Sequence, residues 1–148
     1  MPDDVKELRQ SLKFDNITSA RIVLAHAGIS ILPDYVFDLN NTRHTKKLKE
    51  IIKHLKLDKY RGYAEEKILR KGGDPTFLII EFEDGTTINI KAAAGEKFTT
   101  LADKTLQMEQ YDIPKEITIT VNSEIEPFRL ESNEIRKLID GGYKKFFN

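Results

Sequence analysis

TFLIIEFEDGTTINI, residues 76–90, is the stretch that decides the fold. It reads as a strand, a tight turn and a return strand. Residues 77–82 are apolar apart from Glu81, a pattern that predicts a strand covered on both faces. Asp84-Gly85 supplies the pair a type I′ turn demands, because both central positions need φ > 0 and Gly adopts it freely. On the return, Ile88 and Ile90 alternate with Thr87, Asn89 and Lys91, which turns one apolar face to the core.

Upstream, residues 42–56 hold the clearest helical periodicity. Leu48, Ile51, Ile52 and Leu55 form one apolar stripe, with Lys46, Lys49, Lys53 and Lys56 opposite, as in a helix laid on a sheet. Thr42 is the expected N-cap. Leu57 falls off the stripe, so the helix is expected to end near Lys56. Earlier still, Val5, Leu8 and Leu12 predict a short helix over 3–12. Residues 17–27 read as a buried strand and 35–39 as a weaker one. Residues 58–75 follow no firm pattern: 64–70 suit a turn or two of helix, and Gly72-Gly73-Asp74-Pro75 a loop.

Downstream, residues 92–115 are ambiguous. Leu101, Leu106 and Met108 have spacing compatible with a helix over 101–111, and a long ordered loop is the competing reading. Residues 116–122 alternate Ile117, Ile119 and Val121 with polar residues, a half-buried antiparallel strand. Pro127 lacks a ladder donor and demotes 125–130 to an edge strand. Ser132 caps a final helix over 133–140, stopped by Gly141-Gly142, and Phe146 and Phe147 in the tail must dock somewhere. Hairpin-linked strands with few strand–helix–strand crossovers predict an α+β fold. The expected architecture is a single domain over 1–148, a mainly antiparallel β-sheet packed against an amphipathic helix. The helix in 1–14 and the tail 141–148 are expected at its periphery.

Composition bounds the function. The chain has no Cys, which removes disulfides, thiolate nucleophiles and thiolate metal sites together. No run approaches the ~18–20 apolar residues of a membrane span, and MPDDVKEL has neither the basic nor the apolar region of a signal peptide. A soluble protein is expected, cytoplasmic ahead of a processed extracytoplasmic domain. The abundance of Lys, Ile and Asn suits an AT-rich genome, bacterial or phage. Lys+Arg and Asp+Glu balance at 24 each, so the molecule has no net steering field. Their distribution is uneven. Residues 43–61 hold eight Lys or Arg against Glu50 and Asp58, and residues 103–134 hold eight acids against three bases.

Motifs for catalysis or metal binding are weak. His26 lies in an apolar strand, His44 opens the basic helix, and His54 follows ten residues later, outside the i, i+4 spacing of a helical zinc site. No metal and no cofactor are expected. Glu81 is the one carboxylate with apolar neighbours of the kind that make a general acid, against the plainer reading of an outward polar position; Glu83, Asp84, Glu124 and Glu126 pair up without such surroundings. Lys71-Gly72-Gly73-Asp74 lacks the spacing of a phosphate loop. The basic segment is the feature with functional colour. Lys46, Lys49, Lys53, Lys56, Lys59 and Arg61, with Tyr60 and Tyr63 interleaved, suit phosphate contact and base stacking. The plainer reading is the solvated face of an amphipathic helix.

These residues point to a non-catalytic binding or regulatory module acting on another macromolecule, a protein partner first. Nucleic-acid binding through 43–61 is the first alternative. A small hydrolase or isomerase using Glu81 or His26 in a pocket is the second.

Overall fold

The computed structural model describes residues 1–24, 34–64, 76–122 and 124–148. Helix α1 is Asp3–Glu7, α2 Thr42–His54, α3 Asn133–Lys137 and α4 Tyr143–Phe147. The strands are β1 Ile17–Val23, β2 Tyr35–Val36, β3 Tyr60–Tyr63, β4 Phe77–Phe82, β5 Thr87–Thr100, β6 Leu106–Val121 and β7 Phe128–Glu131. All seven join one sheet in the order β2-β1-β4-β5-β6-β7-β3, and every pairing is antiparallel. The protein is a single α+β domain.

Burial follows the pleat. Leu78, Ile80, Phe82, Ile88, Ile90, Ile117, Ile119, Phe128 and Leu130 are buried on one face, joined there by Ala20 and Ile22. That face is roofed by helices. α3 lies against β6 and α2 beside α3, and Leu48, Ile51 and Leu55 enter the same apolar cluster, with Ile52 at its margin. The terminal segments contribute too. Val5, Leu8 and Leu12 are buried, while Tyr143, Phe146 and Phe147 stack around Tyr35, Phe37 and His44.

Several local expectations are corrected. β4 is not covered on both faces: Phe77, Ile79 and Glu81 are only half-buried while their neighbours are fully so. Its turn is not type I′, because Asp84 does not take a positive φ. Gly85 N–H instead donates to Phe82 O at 3.0 Å and Phe82 N–H to Thr86 O at 2.8 Å, with Gly85 alone at φ 88°. This is a three-residue loop of a type I turn closed by a left-handed residue. Asn122 clamps it, its side-chain amide donating to Gly85 O at 2.7 Å. The N-cap of α2 is Asn41, one residue before Thr42. Its side-chain Oδ1 accepts from Arg43 and His44 N–H at 2.9 and 3.1 Å.

The largest correction concerns residues 92–115, which form neither helix nor loop. β5 and β6 run on as a two-stranded ribbon, paired from Ala94↔Asp112 to Thr100↔Leu106. Between Ala92↔Ile117 and Ala94↔Asp112 the register shifts, and β6 bulges at Ile113–Glu116 with Lys115 at φ 67°. Pro127 precedes β7 without making it an edge: β7 lies between β6 and β3, and the short β3, missed because Arg61 and Gly62 interrupt its pattern, is the edge. Gly141 ends the helix that begins at Asn133, as expected: at φ 153° it leaves helical geometry, and beyond it the chain resumes as the separate short helix α4. His26, Gly28, most of the turn read at 64–70 and the loop 72–75 lie outside the described residues.

Candidate interaction surfaces

The ribbon is the first surface. Its loop repeats the chemistry of the β4–β5 turn. Lys104 N–H donates to Leu101 O and Leu101 N–H to Thr105 O, each at 2.9 Å, with Lys104 at φ 68° where the other turn has glycine. In both loops an Asp braces the Thr two residues on: Thr86 N–H donates to Asp84 at 2.9 Å and Thr105 N–H to Asp103 at 3.0 Å. Hydrogen bonds from Ser11 and Thr86 hold the Asp84 carboxyl below the usual carboxylate range, and those from Thr105 do the same for Asp103.

Beyond Lys91 on β5 and Glu116 on β6, no described strand flanks the ribbon. Alternation puts Phe98, Leu106 and Met108 on one face and Lys97, Gln107, Glu109 and Tyr111 on the other. Phe98 is 53% and Leu106 70% exposed, and Leu101 at the tip 41%. At the root, Tyr111 lies over Gly95, where any Cβ would overlap its ring. The bulge below is held from α3. Arg136 donates to Ile113 O at 2.7 Å, Glu116 O at 3.0 Å, Asp112 at 2.6 Å and Asp140 at 3.0 Å. A rigid base thus carries an amphipathic arm about 20 Å long at ~3.4 Å per residue.

The basic segment divides. Lys46, Lys53, Lys56 and Lys59 are exposed, and none of them pairs with a carboxylate among the described residues. Lys49 lies over the Phe14 ring at 4.9 Å. Lys47 pairs with Glu50 at 3.3 Å. Arg61 pairs with Glu131, and that guanidinium holds the Glu131 carboxyl below its ordinary range. Tyr60 packs on Phe128 with ring centroids 6.0 Å apart, and burial, then the neighbouring Tyr63, pushes its hydroxyl up. Tyr63 keeps 47% exposure. Lys56 and Lys59 share a concavity of about 290 Å³ with His54, Glu131 and Glu134. The acidic and basic stretches of the sequence therefore meet and partly neutralise each other.

Among the described residues, candidate catalytic side chains are not brought together. Among the described residues no group of three or more His, Cys, Asp or Glu is placed to hold a metal ion. His44 Nδ1 accepts from Asp38 N–H at 2.8 Å inside the aromatic cluster, and His54 lies 3.6 Å from Glu134. Glu81 stands on the half-buried face of β4, across from Thr87 and Ser19. Glu124 joins Asp4 and Glu7 around an open hollow of about 690 Å³. No described helix is long and apolar enough to cross a membrane. Comparison of the chain with protein-family models, with curated proteins and with solved structures finds no match.

The sequence reading missed the ribbon's Phe98, Leu106 and Met108. A signal was present: Asp103 and Thr105 stand at the same spacing as Asp84 and Thr86 in the β4–β5 turn.

Proposed function

We propose that the protein is a non-catalytic binding module that engages another protein through the β5–β6 ribbon. The supporting observation is an apolar face of exposed Phe98 and Leu106 with half-buried Met108 between them, on a paired arm whose root is locked by Arg136. Apolar side chains held in water on a rigid ribbon contribute nothing to this fold and gain their hydrophobic stabilisation when a partner covers them. A photo-crosslinking residue at position 98 or 106 should give a discrete adduct in cells, and one at position 99, on the opposite face, should not. Equal labelling at 98 and 99, or none at 98 and 106, would contradict the reading. Replacing Phe98 and Leu106 with Ser should leave the thermal midpoint unchanged.

The four exposed lysines that pair with no carboxylate among the described residues, Lys46, Lys53, Lys56 and Lys59, favour a second reading, nucleic-acid binding by α2 and the turn after it. Affinity would then fall steeply with salt as counterions are released, and Lys53→Glu with Lys56→Glu would abolish it without unfolding the chain. An acidic protein docking there would instead associate more slowly with that variant. The mixed charge around Lys56 and Lys59 places this reading second.

A further inference from the structure

Away from the ribbon residues, the docking of the last helix depends on a group that titrates. α4 is five residues long and follows the non-helical Gly141, and a helix this short has little stability of its own. It is held by what its rings meet. Phe37 lies 5.8 and 5.0 Å from Phe146 and Phe147, centroid to centroid. Tyr35 lies 5.5 Å from Tyr143 and 5.2 Å from Phe147. From α2, His44 reaches Phe146 and Phe147, each at 5.4 Å. Arg43 donates to Phe146 O and lies over its ring at 4.5 Å.

The His44 ring is oriented by one polar contact: Nδ1 accepts from Asp38 N–H at 2.8 Å. A nitrogen that accepts carries no hydrogen, so this contact assigns the neutral Nε2–H form. Protonation would place a second hydrogen at Nδ1, pointing at the Asp38 N–H. Two donors would then face each other, and the ring must turn out of its seat between the phenylalanines. Its surroundings add to this. His44 is the third residue after the N-cap Asn41, where the positive end of the helix dipole opposes a cation. Arg43 and Lys47, both over the Phe146 ring, are positive too, and Lys144 and Lys145 stand exposed on α4. Against them is the Asp38 carboxylate, whose Oδ1 already accepts from Asn40 N–H at 2.9 Å. In the 148-residue chain the carboxylate of Asn148 follows Phe147. Beside β2, Arg21 and Asp34 pair with each other at 3.6 Å.

We propose that His44 is an acid-operated latch: the neutral imidazole seats α4, and its protonation releases α4 and uncovers Tyr35 and Phe37. The docked state binds the neutral form, so the seat is present above the histidine range and lost as pH falls through about 6.5. Phe37, 3% exposed beneath the tail, would then meet water.

The test is backbone hydrogen exchange of the full chain at about pH 7.5 and pH 5.5, with exchange times scaled for the intrinsic pH effect. Protection of the α4 amides should fall roughly five- to tenfold, the limit set by one pH unit below about 6.5. The amides of Leu48 and Ile51 in α2 should not change. His44→Gln should flatten the response, and His26→Gln and His54→Gln should preserve it. Because His44→Gln alone can undock α4 at every pH, the tautomer is read separately in the parent. A long-range proton–nitrogen spectrum near pH 7.5 should show a bare Nδ1 and a hydrogen on Nε2. The proposal is overturned if α4 protection is level between the two pH values, or if the response survives His44→Gln. A hydrogen on Nδ1 at neutral pH would equally sink it. So would protection that rises in acid, which would mean that the imidazolium pairs with the carboxylate of Asp38 or Asn148.

Discussion

Arg136 Nη2 lies 2.6 Å from the carboxylate of Asp112, 24 positions back in the chain, and through this guanidinium α3 holds the root of the β5–β6 ribbon. Its two kinds of partner differ in what they lose without it. Asp112 and Asp140 are 59% and 52% exposed at their side chains and can rehydrate. Ile113 O and Glu116 O, part-buried at the bulge, recover less. Arg136→Met, which fills the space without donating, should therefore cost roughly 2–3 kcal/mol in urea unfolding. Asp112→Asn should cost less than about 1 kcal/mol. Equal losses would show that the carboxylate contact, not the carbonyl contacts, dominates.

Lys104 occupies a left-handed position that Gly85 fills in the equivalent turn. Lys104→Gly should stabilise the protein by about 1 kcal/mol, since a side chain at positive φ is strained by that order. Gly85→Lys should lose about as much. Both changes are read from denaturant midpoints at constant slope.

Thr118 is 2% exposed, and its hydroxyl has no hydrogen-bond partner among the described residues. Thr118→Val keeps the branched shape that suits a strand and removes the unsatisfied group. A gain of about 1 kcal/mol is expected; a loss would mean that the hydroxyl is satisfied in solution.

The lowered carboxyls of Asp84 and Asp103 set the sign of an acid response. A group whose folded pKa lies below its unfolded value of about 3.9 contributes fully above that value. The contribution is lost as pH falls through it toward the folded pKa. Stability should therefore decline below about pH 4, and Asp84→Asn should flatten part of that decline in urea midpoints measured against pH. Parallel profiles for parent and variant would rule the turn out as a contributor.

What could be read from the sequence was what local periodicity encodes. Ile80, Ile88 and Ile90 alternate, and Leu48, Ile51 and Leu55 repeat at helical spacing, so the central hairpin and α2 declared themselves. The ribbon did not, because its outer part, residues 97–100 and 106–109, is exposed on both strands apart from half-buried Met108. Phe98 and Met108 are set among Lys97, Thr99, Gln107 and Glu109, and with no buried face the alternation loses contrast. Pro114 and the bulge then shift the register. The exposed lysines were equally visible, but the residues that spend part of their charge, Glu131 for Arg61 and Phe14 for Lys49, are remote in sequence. The Arg136 contacts, made across 20 to 24 positions, leave no local signature at all.

The order of strands in the sheet has a kinetic consequence. β4, β5, β6 and β7 are neighbours in space and consecutive in sequence, whereas β1 reaches β4 and β3 reaches β7 across long loops. Closing those loops costs entropy before it returns contacts. The four-stranded meander should form in the transition state for folding, with the outer strands joining later. Ile88→Val and Ile119→Val should then mainly slow refolding, and Ile22→Val should mainly speed unfolding. A refolding rate as sensitive to Ile22 as to Ile88 would mean instead that the sheet assembles from both ends of the chain at once.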